Sequence, residues 1–221
     1  LTDYPGATLL QAKGSRLRLV METDGSLSLI ASKKSNVRNP DDLKGKNISV
    51  SGNTFVEYAT DEVMKRACLH PGEVNKPEIN NIPLRLMMLE DGQISASFLP
   101  GPATAIALND GHTALLNTRQ MGLRCTGIVF SEKAITEKDE EIRRFITGYN
   151  LGVKYLQTRP QNEWTEILVK EFGLQEKAAM QIDLPDYRPA TRPSYHDIEK
   201  IIAWLKSKGA IPDYYPGENL V

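Results

Sequence analysis

The chain has 221 residues, 27 of them basic and 28 acidic, with a formal charge of -1 and 40% hydrophobic content. That length accommodates one large or two small cored domains. The even charge balance gives neither the footprint of a nucleic-acid binder nor a polybasic membrane signal. No apolar run approaches the roughly 18 residues of a membrane span. The two cysteines, Cys68 and Cys125, read as small buried hydrophobes and decide no redox compartment.

In chain order, the elements alternate as in an α/β protein. A loop at Thr2, Asp3 and Tyr4 leads into a helix predicted over 5–12, with Pro5 in its first turn and Lys13-Gly14 as its stop. Strands are expected over 17–21 and 26–32, separated by the turn Thr23-Asp24-Gly25-Ser26. Asn39, Pro40 and Gly45 are turn residues ahead of a short buried strand over 47–51. A helix over 55–67 follows at once, its start marked by Thr54 and Glu57 as a T-x-x-E capping box. Next come a strand over 78–82, a helix over 83–90, a buried strand over 94–99, a break at Pro100-Gly101-Pro102 and a helix over 103–108. Beyond the apolar run 127–130, a second box at Thr136 and Asp139 opens a long helix. Its Ile142, Phe145, Ile146, Tyr149, Val153 and Leu156 form a core-facing stripe. Trp164, Ile167 and Leu168 mark another helix, and Ser194 with Asp197 caps the last, over 194–208.

A strand that delivers Ser51, Gly52 and Asn53 onto a helix N-terminus makes a place for a carboxylate, sulfonate, phosphate or nitrate, because unpaired N–H groups and the helix dipole converge there. The same spacing also describes a plain strand-to-helix turn. Enzyme chemistry has little support: His70, His112 and His196 stand apart from one another and from the cysteines, so neither a metal nor a catalytic group is expected. No G-x-S-x-G or Walker loop is present.

DLKGK before a strand, a small polar turn opening a helix, LEDGQISASFLPGPATAIA, and then TGIVFSEKAI follow in an order that resembles ABC-transporter solute-binding proteins for nitrate, taurine, alkanesulfonates and thiamine-precursor pyrimidines. The resemblance runs along nearly the whole chain. It implies an α/β, type II periplasmic-binding-protein-like fold of two lobes with a hinge and a ligand cleft. It also implies no enzymatic activity, no cofactor, a membrane ABC permease as partner, and a periplasmic or extracytoplasmic, membrane-anchored location. Set against family members of two domains of about 150 residues each, the chain is expected to lack an opening segment. The lobes are expected as 1–38 with 120–221, and 39–119, with crossings at 35–41 and 116–126. Loops outside the carboxyl ends of strands would then hold the solute. They supply Thr2, Asp3 and Tyr4; Ser51, Gly52, Asn53 and Thr54; Pro100 and Gly101; and Thr126. The most available donors there are expected to be Asn53 and the amides of Gly52 and Phe55.

Many family members carry a glutamate where this chain has Gly101, which tilts the expected solute toward an anion or a neutral compound. Arg85, Arg119 and Arg124 are the candidates to pair an anion, and Tyr4 either stacks on a ligand or packs in its own lobe. Two alternatives share the fold: a thiamine-pyrimidine biosynthesis enzyme, and the ligand-sensing domain of a transcription regulator.

Overall fold

Asp3 starts the fold locally. Its carboxylate accepts the Gly6 N–H at 2.7 Å and Pro5 supplies a fixed φ, so β1 (Thr2–Asp3) turns directly into α1 (Tyr4–Ala12). The computed structural model describes residues 1–180, 186–217 and 219–221. β2 (Leu17–Thr23) alternates Leu17, Leu19 and Met21 inward, and β3 (Leu27–Ala31) follows after three residues. A short 3-10 turn, Pro40–Leu43, leads to β4 (Ile48–Ser49) and α2 (Phe55–Arg66). Then come α3 (Ile82–Asp91), β5 (Ala96–Pro100), α4 (Gly101–Asn109), β6 (Thr113–Asn117) and β7 (Thr126–Ser131). The remainder is helical: α5 (Glu132–Glu137), α6 (Asp139–Thr158), α7 (Gln161–Phe172), α8 (Glu176–Met180) and α9 (Tyr195–Ser207).

The strands form two sheets. One is antiparallel in the order β1-β7-β2; the other has the order β4-β5-β3-β6, with β4 and β5 parallel and β3 antiparallel to both its neighbours. This moves the expected lobe boundary. β3 was placed with the first lobe, 1–38, but it pairs with β5 and β6 in the second sheet. The physical reason is the side-chain alternation: Leu29 and Ala31 face one apolar cluster while Ile30 faces another, so β3 is covered on both sides and belongs at the centre of a sheet. The outward crossing is therefore 24–26 and not 35–41, and the return lies between Asn117 and Thr126.

Other expectations change as well. Residues 78–82 make only a bridge between Glu78 and Val50, because α3 already begins at Ile82. Thr136 caps nothing: it lies within α5, donating to the Glu132 carbonyl, and Ser131 caps that helix instead. The α6 stripe is only partly inward, with Ile142 and Val153 buried and Phe145 45% exposed, its ring edge-on to Phe130. Cys68 is exposed, with left-handed φ of 53°, whereas Cys125 is buried; both are free thiols.

One apolar cluster joins the two sheets. Tyr4 and Leu19 from the first share it with Leu29, Ile48 and Phe98 from the second, and with Tyr58 of α2 and Ile201 of α9. Each such fully buried large side chain contributes about 1.5–3 kcal/mol. The α2–α9 contact is also polar. Trp204 donates its indole N–H to Asp61 at 2.9 Å and meets Tyr58 edge-on at 5.3 Å, while Lys208 pairs with Glu57. A smaller cluster built on Ile30, Leu89 and Leu99 fills the opposite face of the second sheet, beneath α3 and α4.

Candidate functional site

Register places the sequence-predicted segments at one edge. The parallel strands β4 and β5 deliver residues 51–54 and Pro100-Gly101 at their carboxyl ends. Leu27, at the start of antiparallel β3, lies opposite Pro100. In the other sheet, Asp3 and Thr23 both lie opposite Thr126. The crossing 24–26 ties these two edges together, and it is tight. A Cβ on Gly25 would stand 2.8 Å from the Thr126 hydroxyl, so only glycine lets the strand pass.

Asp3 links the edges directly. One carboxylate oxygen accepts from Gly6 at the head of α1, and the other accepts the Phe55 N–H at the head of α2 at 2.8 Å. Two helix N-termini from two sheets thus share one carboxylate, an arrangement the macrodipoles favour. Burial pushes the Asp3 carboxyl above its ordinary range, against the opposite pull of these N–H donors.

Of the donors expected to be most available at the α2 turn, two backbone N–H groups are already engaged within the protein. Asn53, held at φ 54°, donates its N–H to Glu57 at 2.7 Å, and the Phe55 N–H goes to Asp3. Thr54 does cap the helix, but through Val56, and its hydroxyl donates to the Ser51 carbonyl. Ser51 bonds Asn80 at 2.6 Å, and a Cβ on Gly52 would meet the Glu78 carboxylate at 2.7 Å. Burial alone would raise the Glu57 carboxyl, yet Lys208, the Asn53 N–H and Lys76 together hold it below its ordinary range. Tyr4, expected either to stack or to pack, is 0% exposed and points its hydroxyl at Glu22, so it offers no surface to a ligand. At Gly101, by contrast, a side chain would meet nothing within 4 Å.

Beside Thr126 lies a charged group the sequence reading missed. Arg188 reaches Glu22 at 2.6 Å and Asp24 at 2.9 Å, and Arg124 reaches Asp24 at 3.3 Å. Partners 164 residues apart leave no local signal. Of the three arginines considered for an anion, Arg124 is therefore engaged, and Arg119 lies 3.7 Å from Asp186. Arg85 is 3% exposed, with Nη1 donating to the Phe98 carbonyl at 2.9 Å. Cavities of about 580, 540 and 280 Å³ lie at α7–α8, at the C-terminal end of α2, and between α2 and Met121. None of these three touches 51–54 or Pro100, and residues 51–54, Pro100 and Gly101 are all partly exposed. His112 accepts from the Lys33 N–H and faces Glu90 at 3.2 Å, a local bonding role. Among the described residues, no group of histidine, cysteine and carboxylate side chains is placed to hold a metal.

Two sheets tied by crossings, with strand ends and helix starts meeting between them, give the two-lobe α/β fold of the periplasmic binding proteins that the chain resembles. The chain belongs to the NMT1/THI5 like family, whose sequence model matches residues 4–163. Its structure is similar to the periplasmic aliphatic sulphonate binding protein SsuA from Escherichia coli, with TM-score 0.78 and 14% identity over 96% of this chain and 70% of that one. The alkanesulfonate-binding protein SsuA from Xanthomonas axonopodis pv. citri, bound to MOPS, gives TM-score 0.78 and 18% identity over 96% and 75%. The desulfurization enzyme DSZB shares the fold at TM-score 0.65 and 13% identity, over 94% of this chain and 77% of that one. No curated protein sequence matches significantly. Among the described residues, no helix is long and apolar enough to cross a membrane.

Proposed function

We propose that this chain is the solute-binding component of an ABC importer, working in the periplasm or otherwise outside the cytoplasm. It takes a small anionic or polar solute, of the sulfonate, nitrate or pyrimidine kind, between lobes formed by 1–23 with 126–221 and by 27–117. It then presents the closed form to a membrane permease. The observation that carries the reading is the Asp3 junction. Asp3, which lies opposite Thr126 in one sheet, bonds the Phe55 N–H that follows the turn 51–54 of the other, near the carboxyl ends of β4 and β5, where α/β lobes hold ligands. Family membership and the sulfonate-binding neighbours support it.

Asp3 occupies the Phe55 N–H that an anionic oxygen would need. An anionic solute therefore competes with Asp3 as the lobes part, while Ser51, Asn53, Gly101 and Thr126 line the opened cleft. The solute closes the cleft only by binding the closed form more tightly than the open one.

DSZB supplies the specific reason for a second reading, catalysis on the same fold. Against it, the thiol nearest the junction, Cys125, is 2% exposed and burial pushes its pKa well up, so no thiolate is presented. Calorimetric titration with an alkanesulfonate, nitrate and an aminopyrimidine, followed by mass spectrometry of the recovered solute, decides between the two. Saturable binding with the solute returned intact is expected, and Asp3→Ala should tighten the binding of an anion. A chemically altered solute, or no binding by any of the three classes, defeats the importer reading.

A further inference from the structure

The seam between the two lobes is built unequally on its two sides. On one side α2 meets α9 within the shared apolar cluster, and the Trp204–Asp61 bond, the Tyr58–Trp204 ring contact and the Lys208–Glu57 pair hold them together. On the other side α8, from the lobe of 126–221, contacts α4, from the lobe of 27–117. Among the described residues, no hydrogen bond or ion pair joins α8 to α4.

Two alanines mark this second contact. Ala103 and Ala107 of α4 belong to the apolar cluster on the second sheet, one turn apart on the inward face. Ala105, between them in sequence, points to the opposite side of the helix, yet it is 2% exposed and belongs to neither cluster. Ala179 of α8 is 0% exposed and likewise lies outside both. Something other than the two cores covers each of them, and their helices are in contact.

The hairpin that carries α8 also lies outside both cores. No described residue of α6, α7 or α8 belongs to either cluster. Gln161 ties α8 back to α7, its side-chain amide donating to the Met180 carbonyl at 2.9 Å, and Glu163 ties α7 to Tyr155 of α6 at 3.3 Å. A segment with few buried apolar contacts opens at low cost while the cores stay folded. Two methyl groups bury little apolar surface, so the α4–α8 contact breaks before the α2–α9 contact. We propose that α7 and α8 form a strap across the mouth of the cleft, and that the lobes part on the α4–α8 side while turning about α2–α9. Because α4 starts at Gly101, one of the residues expected to line the cleft, lifting α8 opens a route to that edge. The purpose of the strap rests on the solute-binding reading; its movement does not.

Ala179→Glu and, independently, Ala105→Glu each place a charge in the contact and should lift the strap. Hydrogen exchange without solute should then run roughly tenfold faster in α7 and α8, with α2 and α9 unchanged. Small-angle scattering should show a larger radius of gyration. A Cys68→Ser chain carrying Ala105→Cys and Ala179→Cys, with Cys125 buried, should cross-link with a short bis-maleimide and then scatter as the compact form. Exchange and radius unchanged in both wedge variants overturn the proposal, as does faster exchange that spreads to α2 and α9. If a wedge variant does not fold, the cysteine pair decides, and failure to cross-link overturns the strap. None of these readouts uses a solute. A negative solute titration therefore defeats the importer reading alone, and an unmoved strap defeats this proposal alone.

Discussion

Asp3 belongs to a two-residue strand, yet it joins α1 to α2 and one sheet to the other through two N–H bonds of 2.7 and 2.8 Å. Replacing it by alanine should lower unfolding free energy by about 3–6 kcal/mol, the sum for two bonds to a charged acceptor at about 1.5–3 kcal/mol each. Asn retains one acceptor and should lose roughly half as much. Urea denaturation measures both, and unchanged midpoints would show that the junction contributes nothing. Glu57 sets a pH dependence of definite sign. Its folded pKa is depressed, so its contribution is complete above the ordinary value of 4.5 and is lost as pH falls through the lower folded value. The gap in stability between wild type and Glu57→Gln should therefore be constant from neutral pH down to about 5 and shrink at more acid pH. A gap that widens on acidification contradicts this assignment. At this scale the sequence was informative where chemistry is local: Thr54 and Ser194 are helix caps as their spacing indicates. It was silent on the Asp3–Phe55 bond, which joins residues 52 apart.

Among the elements, β7 lies at the middle of its sheet, and Gly127 explains how it fits there. A Cβ at this position would meet the Met21 carbonyl at 2.8 Å, Leu19 at 3.0 Å and the Tyr4 ring at 3.3 Å, and backbone cannot move aside as a flexible side chain can. Gly127→Ala should cost about 1–3 kcal/mol through overpacking, read as a lower midpoint in circular dichroism. A stability within error of wild type would show that β2 and α1 yield easily. Elements with strong local patterns were legible: α1, α2, β5 and α9 form within a few residues of their predicted spans. β6 was not anticipated, because Thr113 and Ala114 are exposed and its edge position leaves no alternation to read. The outward crossing was misplaced for a related reason. A turn between two strands reads identically whether they pair with each other or, as here, part into different sheets.

For the molecule as a whole, the apolar cluster shared by both sheets makes the lobes interdependent. Heating should therefore give one cooperative transition, with far-ultraviolet ellipticity and tryptophan fluorescence coinciding. Two separated transitions would mean that the α2–α9 contact is too weak to couple the lobes. The two-lobe plan was legible because alternating α and β elements and the order of turn motifs are properties of the chain itself. The cleft chemistry was less so, since it depends on which carboxylate reaches which helix start once distant segments meet.

The unequal environments of the two cysteines make the native chain its own labelling reagent. Cys68 follows α2 and is exposed, whereas Cys125 is buried, its carbonyl accepting the Tyr4 N–H, with its thiol held protonated by burial. A thiol-specific dye should therefore take up one equivalent on the folded protein and two in denaturant, with no engineered site needed. A single fluorophore would then sit on the lobe that carries α2, where, under the proposed solute-binding role, a change in its emission on adding solute would report cleft movement.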